Sequence, residues 1–138
     1  MAGDRKYNSS DAWLLLTIIY AGSGESKATL DKIIAVGDAV NHSIFNEDEL
    51  ESGLARLTAG GFIKEKNKVF SAALKVRRAY AKTTTIRRAV DKELNDITQL
   101  IGAASPTSEQ PNINNLKYTG FSHEEFREAV DKYLKSWT

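Results

Sequence analysis

The chain has 138 residues, the size of one ordinary domain. With 41% hydrophobic and 27% charged residues it has the composition of a globular chain, not a disordered one, and a net charge of +1 favours no partner of either sign. It contains no cysteine, which excludes disulfides and thiolate metal sites and suits a reducing compartment. The opening MAGDRKYNSS has no apolar core and does not read as a signal peptide. The longest apolar stretch, Ala12 to Ala21, is about half of a membrane span. A cytoplasmic location without membrane attachment is expected.

In chain order, the first predicted helix starts after Ser10 as N-cap and runs DAWLLLTIIYAG. It is apolar on nearly every side, which predicts a central, buried helix. GSGESK breaks it. A second helix follows Thr29, with Leu30, Ile33, Ile34, Gly37 and Val40 at helical spacing, and NHS at 41–43 ends it. The third helix begins at NEDELESGLARLTAGGF. Asn46 caps it, Glu49 stands where a side chain reaches back to the cap, and Phe45 with Leu50 forms a hydrophobic staple. Leu50, Gly53, Leu54 and Leu57 share the inward face, and Gly60-Gly61 stops the helix.

FIKEKNKVFSAA then carries two short β-rich runs around Asn67-Lys68, a hairpin signal. Residues 74–102 are helical again. Ile86, Val90, Leu94, Ile97 and Ile101 make one stripe, and the threonines at 83–85 divide the stretch in two. This predicts an amphipathic helix over 82–101. Residues 102–120 hold both prolines and read as a loop. The last helix, within 121–138, opens on FSHEEF, where Ser122 and Glu125 form a capping box and Phe121 and Phe126 a staple.

Three helices followed by a hairpin directly after GGFI resemble the winged helix-turn-helix superfamily over residues 10–80. LESGLARLTAGGFIKEKNKVFSAAL carries most of the resemblance, and Lys27-Ala28-Thr29 would be a short first strand pairing with the wing. The fold class expected is therefore mainly α: a single domain with a winged-helix core extended by two C-terminal helices. The resemblance implies DNA binding, with the third helix as recognition helix and Lys64, Lys66 and Lys68 as wing contacts. Appended helices of such regulators often form a dimer interface, so a homodimer is the expected oligomer.

The third helix fits base reading poorly. With its leucines inward at 100° per residue, Asp48, Ser52, Ala55 and Ala59 face outward, with Arg56 beside them as its one basic residue. The front is acidic, and carboxylates oppose the phosphate charge. Acids there also complement the helix dipole, by about 0.3–1 kcal/mol each, whatever the helix touches. Charge is uneven along the chain: seven acids and two lysines lie between Glu25 and Glu51, but ten Lys or Arg and two acids between Lys64 and Lys92. The DNA-contact set expected is thus Ser52, Arg56, Lys64, Lys66, Lys68, Arg77 and Arg78, dominated by the wing and the segment after it. A solvated helix face explains the same charges. The alternative is a winged-helix protein-interaction or dimerisation module without DNA, using the Asp48–Ala59 face or the apolar stripes of the last helices.

No catalytic pattern is present. His42 and His123 have no second histidine at metal spacing, GSGESK lacks the ending of a phosphate loop, and no nucleophile motif occurs. No enzyme activity, metal or cofactor is expected. Trp13, Tyr20, Tyr80, Tyr133 and Trp137 are expected in the core more than around a ligand.

Overall fold

In the computed structural model of the protein, residues 9–22, 27–83, 97 and 117–136 are described. Helix α1 (Ser9–Ala21) is apolar on nearly every side, and this places it at the centre: every residue from Asp11 to Ile18 is buried. Ser10 lies inside the helix instead of capping it, because Ser9 is already helical. Helix α2 (Leu30–Asn41) is capped by Thr29, whose hydroxyl accepts from Lys32 N, and ends at His42 in the left-handed region, φ 54. Its buried residues are Leu30, Ile33, Ile34, Gly37 and Val40, the stripe the spacing predicts.

Helix α3 (Glu47–Ala59) forms the full capping box: Asn46 accepts from Glu49 N, and the Glu49 carboxylate accepts from Asn46 N. Leu50, Leu54 and Leu57 are fully buried. Gly61, at φ +78, turns the chain into the hairpin in a conformation that only glycine takes without strain. Strands β1 (Ile63–Lys66) and β2 (Val69–Ala72) pair antiparallel, with Ile63 opposite Ala72 and Lys66 opposite Val69. A single bridge adds Ala28 to the far side of β2, where Phe70 N donates to Ala28 O over 3.0 Å. Helix α4 spans Leu74–Thr83 and helix α5 spans His123–Lys135. Ser122 and Glu125 make a second complete capping box.

The protein is mainly α with one two-stranded antiparallel sheet. Most of the helix expected over 82–101 lies outside the described residues, as do residues 102–116 of the expected loop. Ile97 is described, helical and buried. Residues 117–122 run as non-helical chain into α5.

The core closes around α1. Trp13 stacks on Phe45 with ring centroids 3.6 Å apart, and its indole N–H donates to Gly37 O over 2.9 Å. On the other side α3 approaches closely at Gly53, where a Cβ would lie 2.8 Å from Leu14 Cδ2 and 3.1 Å from Asp11 Oδ1. That contact brings a charge pair into the interior. Arg56 donates to both carboxylate oxygens of Asp11, from Nε at 2.8 Å and from Nη2 at 2.9 Å. Asp11 is 0% exposed and Arg56 only 7%.

The placement of Ser52 and Arg56 expected from the helical wheel is corrected here. Both are buried, because α1 docks on the Gly53–Arg56 side and widens the inward arc beyond the leucine stripe. A bidentate pair withdrawn from water is held mainly against the alternative of one stranded charge. Asp11→Ala or Arg56→Ala alone is therefore expected to lower unfolding free energy by about 3–5 kcal/mol, whereas Asp11→Leu with Arg56→Met should cost much less than the two single changes together. Urea denaturation of the three variants measures both; single losses below about 1 kcal/mol would mean the pair does not hold α1 to α3.

Candidate nucleic-acid interface

The side-chain period of two divides the hairpin's charges between its faces. Ile63 is buried, while Lys64 and Lys66 point outward, opposite Ser71 and Val69. Glu65 falls on the other side with Phe70. Its carboxylate is engaged there, accepting from the Tyr118 hydroxyl at 2.9 Å and from Lys68 N at 3.0 Å. Lys27, next to the Ala28 bridge, joins Lys64 and Lys66 around one open concavity of about 740 Å³, which Glu65 also lines. Among the described residues, no carboxylate lies within ion-pair distance of these three lysines. Three ammonium groups on flexible stems, unneutralised and solvated, suit a polyanionic backbone as point charges more than a fixed, shaped ligand.

The other residues expected at an interface take different places. Lys68 is exposed, but its ammonium lies 3.0 Å from the Glu125 carboxylate. Arg77 and Arg78 are exposed on α4. Lys75, on the same helix, turns back over the Phe62 ring at 4.8 Å. Ser52 and Arg56 are interior, as described above, and offer nothing to a ligand.

The acidic front of α3 is occupied by the chain itself. Residues 117–123 cross it: Tyr118 N donates to Glu51 O over 2.9 Å, Lys117 pairs with Asp48 at 3.2 Å, and His123 contacts the Glu47 carboxylate. Burial raises the Glu51 carboxyl above its usual range, with Glu47 and Asp48 adding to the effect and Lys117 and His123 opposing it. Behind this crossing, Phe70, Tyr118 and Phe121 pack edge to face, with centroids 5.0–6.1 Å apart. Helix α5 then ties to α2, with Lys132 at 3.1 Å from Asp31 and the Tyr133 hydroxyl donating to Asp38 at 2.6 Å.

The sequence gives Lys117, Tyr118 and His123 no binding role. Their partners are distant in sequence and no local pattern announces them. Among the described residues there is no group of three metal-ligating side chains, and no helix is long and apolar enough to cross a membrane. No protein-family model, curated protein or solved structure matches the chain.

Burial, followed by the hydrogen bond to Glu65, pushes the Tyr118 phenol up to about 12. An unfolded tyrosine loses its proton near 10. The neutral phenol's contribution is therefore complete below about pH 10 and is lost as pH rises toward about 12. Tyr118→Phe should leave a shallower alkaline loss of stability than the unmodified protein shows, read from urea midpoints taken across pH 8 to about 11. Parallel curves for the two proteins would show that this phenol is not held neutral by the fold.

Proposed function

We propose that the protein is an intracellular, non-catalytic DNA-binding regulator of winged-helix type, and that it grips duplex phosphates with the outer face of its hairpin while α3 stays out of the groove. The observation that carries the reading is the gathering of Lys27, Lys64 and Lys66 around one concavity, where Glu65, which also lines it, has its carboxylate engaged by Tyr118 and Lys68 N. The order of three helices and a hairpin, with the chain before α2 bridging to β2, supports the winged-helix assignment. Arg77 and Arg78 on the following helix are exposed as well.

The acids at the start of α3 argue against base reading: Asp48 and Glu47 are engaged by Lys117 and His123 of the same chain, and where Asp48 stays exposed its charge opposes phosphate. Binding is accordingly weak, salt-sensitive and poor in sequence preference. A second reading, a protein-contact module, draws on one observation: the Asp48–Glu51 side of α3 already accepts a peptide-like segment, residues 117–123.

Three phosphate contacts predict that log K falls with log salt at a slope of about −2.7 on random duplex. Lys64→Glu with Lys66→Glu should abolish retardation at low salt and leave the unfolding midpoint nearly unchanged, because both side chains are exposed. Fluorescence anisotropy with a labelled random duplex measures this. If the unmodified protein gives no anisotropy change at low salt, the DNA reading falls and the protein-contact reading takes its place.

A further inference from the structure

Lys68 is an unusual residue for its position. It is the second residue of a two-residue hairpin turn in which Asn67 has φ 53 and Lys68 has φ 64. Such a turn favours Asn followed by Gly, because a side chain at the second position meets steric strain. Asparagine tolerates that region through its own side chain, whereas the lysine side chain makes no local hydrogen bond, and only its backbone N–H is held, by Glu65 at 3.0 Å. Strain of this kind points to a use for the side chain outside the turn.

The side chain reaches α5. Its Nζ lies 3.0 Å from one oxygen of Glu125 and 3.3 Å from the other. The same carboxylate also accepts from Ser122 N at 3.0 Å, closing the capping box. Glu125 is thereby fixed in direction by its own helix and presented to the tip of the hairpin. Together the Ser122 amide and the Lys68 ammonium hold its carboxyl below the usual range, so it remains an anion at neutral pH.

Two oxygens sharing one negative charge before an ammonium is also the arrangement a phosphodiester would offer. We infer that Glu125 is an internal phosphate mimic: it occupies Lys68 in place of a nucleic-acid phosphate and keeps that lysine out of the contact set. The inference rests on the nucleic-acid reading of the hairpin. The pair is solvent-accessible, with side-chain exposures of 50% and 43%, so removing the Glu125 charge leaves Lys68 open to a phosphate. The lysines of the strand before the turn differ in just this respect: Lys64 and Lys66 have no carboxylate partner among the described residues, and Lys68 has one supplied by another element. Helix α5 thus sets how many phosphates the hairpin engages.

The test uses Glu125→Gln in the full chain. Glutamine serves at the third position of a capping box as glutamate does, so the helix start survives while the charge is removed. Binding to a labelled random duplex is measured across salt for four proteins: unmodified, Glu125→Gln, Lys68→Gln, and the double variant. Freed of its partner, Lys68 should steepen the slope of log K against log salt from about −2.7 to about −3.6. Affinity at low salt should rise by up to about fivefold, the strength of an exposed pair. The double variant should fall back to the unmodified protein's slope, and Lys68→Gln alone should match it.

Circular dichroism on each variant shows whether α5 remains folded. If the unmodified protein binds duplex and Glu125→Gln binds with the same slope and affinity, the mimic is overturned while the nucleic-acid reading stands. A double variant as tight as Glu125→Gln overturns it as well, since Lys68 would then not be the group released. If neither protein binds duplex at low salt, the reading and the mimic fall together.

Discussion

The bidentate pair between Asp11 and Arg56 sets the rotation of α3, and most of what the surface presents follows from that rotation. A buried guanidinium has to meet its carboxylate in a fixed fork geometry, so the two helices are held in one register and not merely pressed together. Gly53 makes the approach possible, because a Cβ there would collide with Leu14. With Arg56 drawn in, Ser52 follows it into the interior, and Glu47, Asp48 and Glu51 swing toward the path of residues 117–123.

This arrangement accounts for a helix that begins with acids. Asn46 and Glu49 cap it, and the carboxylates of its first turn sit favourably at the positive end of the dipole. The same acids then receive Lys117 and His123. Their negative charge serves intramolecular docking, and α5 extends the pattern by placing Lys132 on Asp31 and Tyr133 on Asp38. With Asp31, Asp38, Glu47 and Asp48 met from within, and the Glu65 carboxylate held by Tyr118, Lys27, Lys64 and Lys66 remain as lysines without a carboxylate partner among the described residues. A chain with net charge +1 therefore presents a locally positive face through geometry, not through composition.

Much of the fold was legible from residue order, and the legible features share one property: each is decided within a few residues. The caps at Thr29, Asn46 and Ser122, the stop at Gly60-Gly61, the turn at Asn67-Lys68 and the inward leucines of α3 all follow from local sterics, hydrogen bonding and period. The Ala28 bridge agrees with the strand expected at Lys27-Ala28-Thr29. The candidate site was legible only in part. Lys64 and Lys66 are outward as the alternation of β1 requires, but Ser52, which the leucine stripe alone places outward, and Arg56, which it places beside that face, are both buried. The wheel cannot show which flank of that stripe another helix will cover.

By itself, then, the order of residues determined α1, α2, α3 and α5, the caps at Asn46 and Ser122, the hairpin, and α1 as the buried central helix. Tertiary structure alone decided that Asp11 and Arg56, 45 positions apart, would share the interior, that residues 117–123 would lie across α3, and that Glu125 would meet Lys68. The division has a physical cause. Capping and periodicity act over one or two helical turns and leave their mark in neighbouring residues. An ion pair between distant elements depends on docking angles set by the packing of the whole core, and nothing local to either residue encodes them.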